Sequence, residues 1–426
     1  MPLYRHITES LLPWRLRKAF EDWTEGRCRD AHPGLYRWLH FAAAGDRLKP
    51  VTSGPRHHFF GYYYKSPWNA SGSLLLAHEV DFNDRPPTAT DPAAVGVVRL
   101  QEGNHFEPLG TARCWNWQQG AMPQWNPAEA ERQFFHNDRR DGRFVGVLRD
   151  VERGELRVYE RPLYALAPNG RLGFSLNFAR LQTHRPGYGY AGVADPHADA
   201  LAPEADGIER IDLASGAVDR LISLAELAAR DPVESMAGAV HYVNHIQVSP
   251  GGRYMAFFHI WRTGENTWRV RLYCMALDGS ELTRMLDTGT ISHYDWLDDD
   301  RLLVWAEKPG GGRHFLLCDR RDVSARVIGA GVLGEDGHCT FSPDRRWVLN
   351  DTYPDPHDMR TLMLYRWPDG PRLDLARLYS PKARWWGELR CDLHPRWRRD
   401  GRAVCVDSVH DGSRQMYVVD VENDVE

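Results

Sequence analysis

One short pattern governs what this chain can fold into: an apolar run, a Ser-Pro-like break and a second apolar run, repeated along 426 residues. It reads "YYKSPWNASGSLLLA" (63–77), "MPQWNPAEAERQFFH" (122–136), "LYALAPNGRLGFSL" (163–176), "HIQVSPGGRYMAFF" (245–258), "HYDWLDDDRLLVWA" (293–306), "HCTFSPDRRWVLN" (338–350) and "LHPRWRRDGRAVCV" (393–406). Most successive copies stand roughly 40–60 residues apart, the length of four short strands with their turns, which is one blade of a β-propeller. Between them lie pairs such as "TWRVRLYCMAL" and "ELTRMLD", β-rich and broken by Asp, Gly or Pro. These runs are too short and too punctuated for helices. After "RQMYVVDV" (414–421) only five residues remain, so the last blade lacks a fourth strand. "RLKPVTSG" (47–54) is placed to supply it and remove an open sheet edge. The expected fold is all-β: a seven-bladed β-propeller over residues 47–426. Residues 1–46 form an N-terminal helical extension whose Leu/Trp/Phe face packs on the ring or on a second copy of the chain.

Composition removes several function classes. The net charge is −5 and no Lys/Arg-rich block stands out, which argues against a nucleic-acid partner. No apolar run approaches the ~20 residues of a membrane span. The first residues carry no apolar signal region. Seven cysteines, scattered without a C-x-x-C pair, fit reduced thiols. The expected location is the cytoplasm.

Aligning the copies on their prolines exposes a second pattern. Five residues before Pro250 stands His245, and five before Pro343 stands His338. His293 takes that place in blade five, where Leu-Asp-Asp replaces Ser-Pro-Asp. Pro395 and Pro67 give Arg390 and Tyr62, while blades two and three give Met122 and Leu163. A lone histidine is ordinarily a packed side chain bonded to backbone. Three in one register on adjacent blades repel when protonated and desolvate one another unless a metal or anion lies between them. Neutral imidazoles with open coordination positions suit a divalent ion such as Mn, Zn or Fe.

The second strand of each copy ends in polar residues on the same face, among them His78, His136, Asn137, His259, Asp351 and Asp407. The long segments 81–94, 178–206 and 225–243 fall in connections on that face too, as binding loops do. The 178–206 loop offers Arg180, His184, Arg185, Tyr188 and Tyr190, suited to stacking on sugar rings and gripping a carboxylate. The alternative is that its aromatics pack the loop onto the ring. "GYGYAG" (187–192) matches G-x-G-x-x-G but follows no strand and opens no helix, so it is no dinucleotide site.

"GHCTFSPDRRWVLNDTYPD" and "RCDLHPRWRRDGRAVCVDSVHDGSRQMYVVDV" resemble the oligogalacturonate lyases, polysaccharide lyase family 22, seven-bladed propellers of the TolB-like kind. The resemblance implies a manganese ion, held by histidines and a glutamine, that binds a uronate carboxylate while a basic side chain takes the C5 proton. Carried over, His293 and His338 match the metal-binding histidines, and His394 in "CDLHPRW" is a third candidate. His394 falls toward the turn in the proline register, which favours His245. Gln118 and Gln119 lie in the wrong blade for the ligand glutamine.

The expected activity is metal-dependent β-elimination on an acidic, uronate-containing oligosaccharide. Arg180 and Arg390 are the candidates for carboxylate clamp or base, Tyr62 for the acid, and His259 for either proton role. Arg185, Tyr188, Tyr190, Asp351 and Tyr353 are candidates for substrate binding. Two other readings stand beside it. A propeller glycoside hydrolase needs two carboxylates about 5–10 Å apart, for which Asp351 and Asp407 are the pair. A non-catalytic interaction propeller needs neither metal nor carboxylate pair.

Overall fold

The computed structural model describes residues 47–308 and 310–426. They form seven four-stranded antiparallel sheets, the seven blades of a propeller. Blade one holds β2 (His57–Phe59), β3 (Leu74–Val80), β4 (Ala93–Arg99) and β5 (His105–Ala112). Blade two holds β6–β9 within residues 124–159, blade three β10–β13 within 165–223, and blade four β14–β17 within 241–286. Blade five holds β18–β21 within 291–328 and blade six β22–β25 within 340–379. Blade seven takes β26 (Arg396–Trp397), β27 (Ala403–Ser408) and β28 (Gln415–Asp420) from the end of the chain. Its fourth strand is β1 (Leu48–Pro50), antiparallel to β28 with Leu48 opposite Val419 and Pro50 opposite Tyr417. The helical extension expected over residues 1–46, and the self-association assigned to it, lie outside the described residues.

Burial follows from blades packed face to face. The second strand of blade four, β15 (Tyr254–Arg262), is buried at every position but its last, because both of its faces meet neighbouring blades. Outermost strands such as β5 and β21 (Ser324–Ile328) are exposed or half-buried at every position but their last. No helix among the described residues is long and apolar enough to cross a membrane. The helices are short: α1 (Phe178–His184), α2 (Leu224–Ala229) and α3 (Glu422–Val425).

The polar residues that end the second strands are joints between blades. His78 Nε2 accepts from the Ala121 N–H, 2.9 Å away, at the entry to blade two. Asn137 Oδ1 accepts from Leu163 N (2.7 Å) at blade three, and Asp351 Oδ2 from His394 N (3.3 Å) at blade seven. Asp407 accepts from Phe60 N and Gly61 N as blade one begins. Each satisfies a buried backbone donor that the bent inner strand leaves without a ladder partner.

Blade one departs from the repeat, with a consequence for the channel. Its hairpin is closed by Asn69 N donating to Leu74 O, and Pro67 O accepts from Leu76 N, so residues 60–66 run free of the ladder. This segment crosses the middle of the ring. Tyr63 Oη donates to Tyr294 O (2.9 Å), Tyr64 Oη to Ile246 O (3.0 Å) and Lys65 Nζ to Tyr164 O (2.8 Å). Tyr62 and Tyr63 are each 1% exposed, so the channel is stoppered into two separate mouths.

Candidate metal centre and its cleft

Hydrogen bonds, unlike prolines, give the register of the inner strands directly. The turn N–H bonds are Ser249 to Tyr254 O, Leu297 to Arg301 O, Ser342 to Trp347 O and Arg398 to Ala403 O, each 2.8 Å. Four residues before each donor stands a histidine: His245, His293, His338 and His394. His394 therefore belongs to the set, and Arg390 does not share its register. Pro395 mimics the turn proline, whereas the real turn of blade seven is Arg398-Arg399-Asp400-Gly401. Tyr62 likewise falls outside the register, because blade one turns at Asn69 rather than at Pro67.

Local backbone irregularity aims the rings inward. The pairing of β14 (His241–Val248) with β15 shifts between Asn244 and Gln247, and that of β18 (Ile291–Trp296) with β19 (Arg301–Glu307) between Ile291 and Tyr294. His245 has φ +56° and His394 φ +43°, left-handed conformations that cost a side-chain-bearing residue about 1–3 kcal/mol. Such bulges re-aim side chains at the rims of closed sheets.

His338, Asp392 and His394 converge so that one ligand atom from each lies within 4.8 Å of the others. All three are buried. His338 Nδ1 bonds to Asp351 Oδ1 (2.8 Å), which leaves Nε2 as the lone-pair nitrogen. His338 Nε2 and His394 Nε2 have no hydrogen-bond partner, and Asp392 Oδ2 stands 4.0 and 3.9 Å from them. Burial would raise the Asp392 carboxyl, but Arg390 and Arg360, with the two histidines, hold it well below the usual range. Burial drives the His394 imidazole well below its ordinary value, and His338 beside it adds to this. Two imidazoles and a carboxylate, with orphaned buried nitrogens, form a fitting donor set for a divalent cation.

A cleft of about 380 Å³ adjoins this cluster on the same mouth, and His245 and His293 line it. His293 packs on His338 with ring centroids 4.1 Å apart, and its Nδ1 bonds to Asp336 Oδ1 (3.0 Å). His245 Nε2 is bonded to the Tyr62 hydroxyl. Burial lowers both imidazoles, His245 further than His293, so both are neutral bases. Arg185, stacked over Trp268 at 4.1 Å, forms another wall with Tyr188 and Tyr353. No ion pair to Arg185 is present among the described residues, and its guanidinium is open to an anion.

Several expected site residues are placed elsewhere. Arg180 is 1% exposed and committed to Asp195 and to the carbonyls of His241, His197, Ala200 and Leu201, so it is neither clamp nor base. Tyr190 stacks on Phe178 at 4.3 Å and packs its loop onto the ring. His259 bonds to His241 (2.8 Å) and points away from the cleft that Phe258 and Ile260 line, so it takes no proton role there. Asp351 positions His338 and does not line this cleft. Arg390 holds Asp392 (2.5 Å) and the Tyr188 hydroxyl. Burial opposes its charge, but Asp392, Tyr188 and Tyr353 hold the guanidinium well above its ordinary value, which excludes it as a base. Asp392 is the functional candidate that sequence reasoning left unassigned. Reading "RRDG" as the turn of blade seven would have placed His394 in register and drawn Asp392 in beside it.

The site and fold together define a class: a seven-bladed propeller with a buried histidine–aspartate cluster at the floor of one mouth. No family model and no curated protein sequence matches the chain. Among solved structures, an oligogalacturonate lyase from Vibrio parahaemolyticus aligns at 12% identity, covering 89% of this chain and 94% of its own, with a TM-score of 0.63. An oligogalacturonate lyase in complex with manganese aligns at 15% identity over 90% of this chain and 96% of its own, with a TM-score of 0.64. At these identities the likeness is one of fold: the chain has the propeller architecture of the oligogalacturonate lyases.

Proposed function

We infer that this protein is a divalent-metal-dependent lyase that cleaves uronate-containing oligosaccharides by β-elimination, with manganese the favoured ion and zinc or iron the alternatives. The observation that carries this reading is the pair of partnerless buried nitrogens, His338 Nε2 and His394 Nε2, facing the Asp392 carboxylate. The fold shared with a lyase solved with manganese supports it. His338, Asp392 and His394 hold the ion, Asp351 orients His338, and Arg390 and Arg360 fix Asp392.

When bound, the ion supplies positive charge beside the uronate carboxylate, which makes the proton α to that carboxylate removable. Arg185 grips the same carboxylate or its neighbour along the chain, and Trp268 offers the sugar a flat face. His293 takes the C5 proton on Nε2, since Asp336 fixes the proton of the neutral ring on Nδ1. His245, held by Tyr62, faces the other side of the cleft and assists the departing oxygen. The hydrolase reading loses its carboxylate pair, because Asp351 is spent on His338 and Asp407 on Arg396 and the blade-one backbone.

Elemental analysis of the purified protein tests the metal. Near-stoichiometric transition metal in the wild type, and its loss from His394→Ala, is expected. Metal-free wild type that cannot be reloaded overturns the reading. His293→Asn separates base from ligand: metal content is retained while kcat falls about 10²–10⁴-fold. Unchanged kcat removes His293 from the proton transfer.

A further inference from the structure

The stopper formed by residues 60–66 leaves a second mouth on the turn side of the ring, and that mouth is built as carefully as the first. Two adjoining cavities of about 240 and 260 Å³ open there and share Tyr64, Lys65, Ser66, Gln247 and Val248 in their walls. Lys65 is 9% exposed. Its Nζ donates to Tyr164 O (2.8 Å) and to Tyr64 Oη (3.2 Å) and lies over the Tyr64 ring at 4.2 Å. The buried arginines Arg180, Arg271, Arg360 and Arg396 each face a carboxylate. Lys65 faces none among the described residues, and an ammonium has one donor more than it uses here. In the same walls Gln247 Oε1 and Thr340 Oγ1 are buried without a hydrogen-bond partner.

An uncompensated cation and two unsatisfied polar atoms around one cavity describe a missing ligand by its complement. We propose that the turn-side mouth binds a small hydroxy-carboxylate, its carboxylate on Lys65 and its hydroxyls on Gln247 and Thr340. In the cavity that holds Thr340 the other cations, Arg345 and Arg396, are already beside Asp295 and Asp407, so Lys65 is its uncommitted charge and a monoanion suits it better than a phosphate dianion; Arg399 lines the adjoining cavity. The charged or titratable groups that share these walls with Lys65 are Tyr63, Tyr64, Tyr164, Asp295, Arg345, Arg396 and Arg399. Burial pushes the Lys65 amine down to about 7, so the anion is held by a charge that fades as pH rises. The site is separate from the histidine mouth and does not depend on the lyase reading.

The probe is D-gluconate, titrated calorimetrically into the full chain at pH 6.5 and 8.5. Saturable binding is expected, weakened at least tenfold at pH 8.5, weakened similarly by Lys65→Met, and unchanged by His338→Ala. The neutral polyol D-glucitol is expected not to bind. Absent saturable binding, binding lost in His338→Ala but kept in Lys65→Met, or equal binding of glucitol overturns the proposal. If Lys65→Met does not fold, the wild-type pH pair decides alone: affinity that does not fall between pH 6.5 and 8.5 removes Lys65 as the anchor.

Discussion

Asp351 and Arg180 show how a charged residue serves a site without entering it. Asp351 accepts from both the ring and the backbone N–H of His338, fixing which nitrogen faces the cluster. Replacing it by Asn keeps the shape but weakens the hold on that tautomer, so metal affinity is expected to fall about 10–100-fold, read by competition with a chelating dye. Arg180 ties the 178–206 loop to blade four. Arg180→Met strands the Asp195 carboxylate in the interior and is expected to cost about 3–5 kcal/mol in denaturant unfolding, with bound metal retained. Neither role was legible in the sequence. Arg180, Tyr190 and His259 share residue types with binding sites, and only burial and partners, which depend on the folded chain, separate them from Arg185, Tyr188 and His293.

At the scale of elements, the repeat was readable because each hairpin must be written locally: an apolar run, a turn that Gly or Asp can make, another apolar run. What the repeat could not carry was the exact offset in blades one and seven. There Pro67 and Pro395 imitate the turn proline while the hydrogen bonds close at Asn69 and Arg398. That offset displaced His394 by four residues and hid Asp392. The joints between blades were visible as polar strand ends, but not their role. Asp407 joins blade seven to blade one and carries Arg396 against it (2.7 Å). Asp407→Ala leaves that buried guanidinium unpaired and is expected to destabilise by about 3–5 kcal/mol, whereas Asp407→Asn, which retains an acceptor, costs less. Equal losses in the two variants, measured by denaturant midpoints, would contradict the joint.

Across the whole molecule, neutral buried histidines make the ring acid-sensitive. Burial pushes His78 down to about 3 and His136 down to about 4. Both are fully buried, and His78 cannot take a second proton without opposing the Ala121 N–H it accepts. Because the folded values lie below the unfolded 6.5, the unfolded chain binds more protons as pH falls, so stability is full above 6.5 and is lost on the way down. At pH 5 His78 alone accounts for about 2 kcal/mol. Unfolding midpoints taken in chelator are expected to drop between pH 7 and 5, and a flat profile would contradict the neutral-histidine scaffold. The ring's larger design is two mouths divided by a tyrosine stopper, one holding the histidine–aspartate cluster. The measurement that bears most directly on that cluster is ultraviolet absorbance during incubation with oligogalacturonate, with manganese supplied or chelated. The account predicts a rise from 4,5-unsaturated uronate that requires metal and disappears in His394→Ala. New reducing ends without that absorbance, or no product from any uronate glycan at full metal loading, would contradict it.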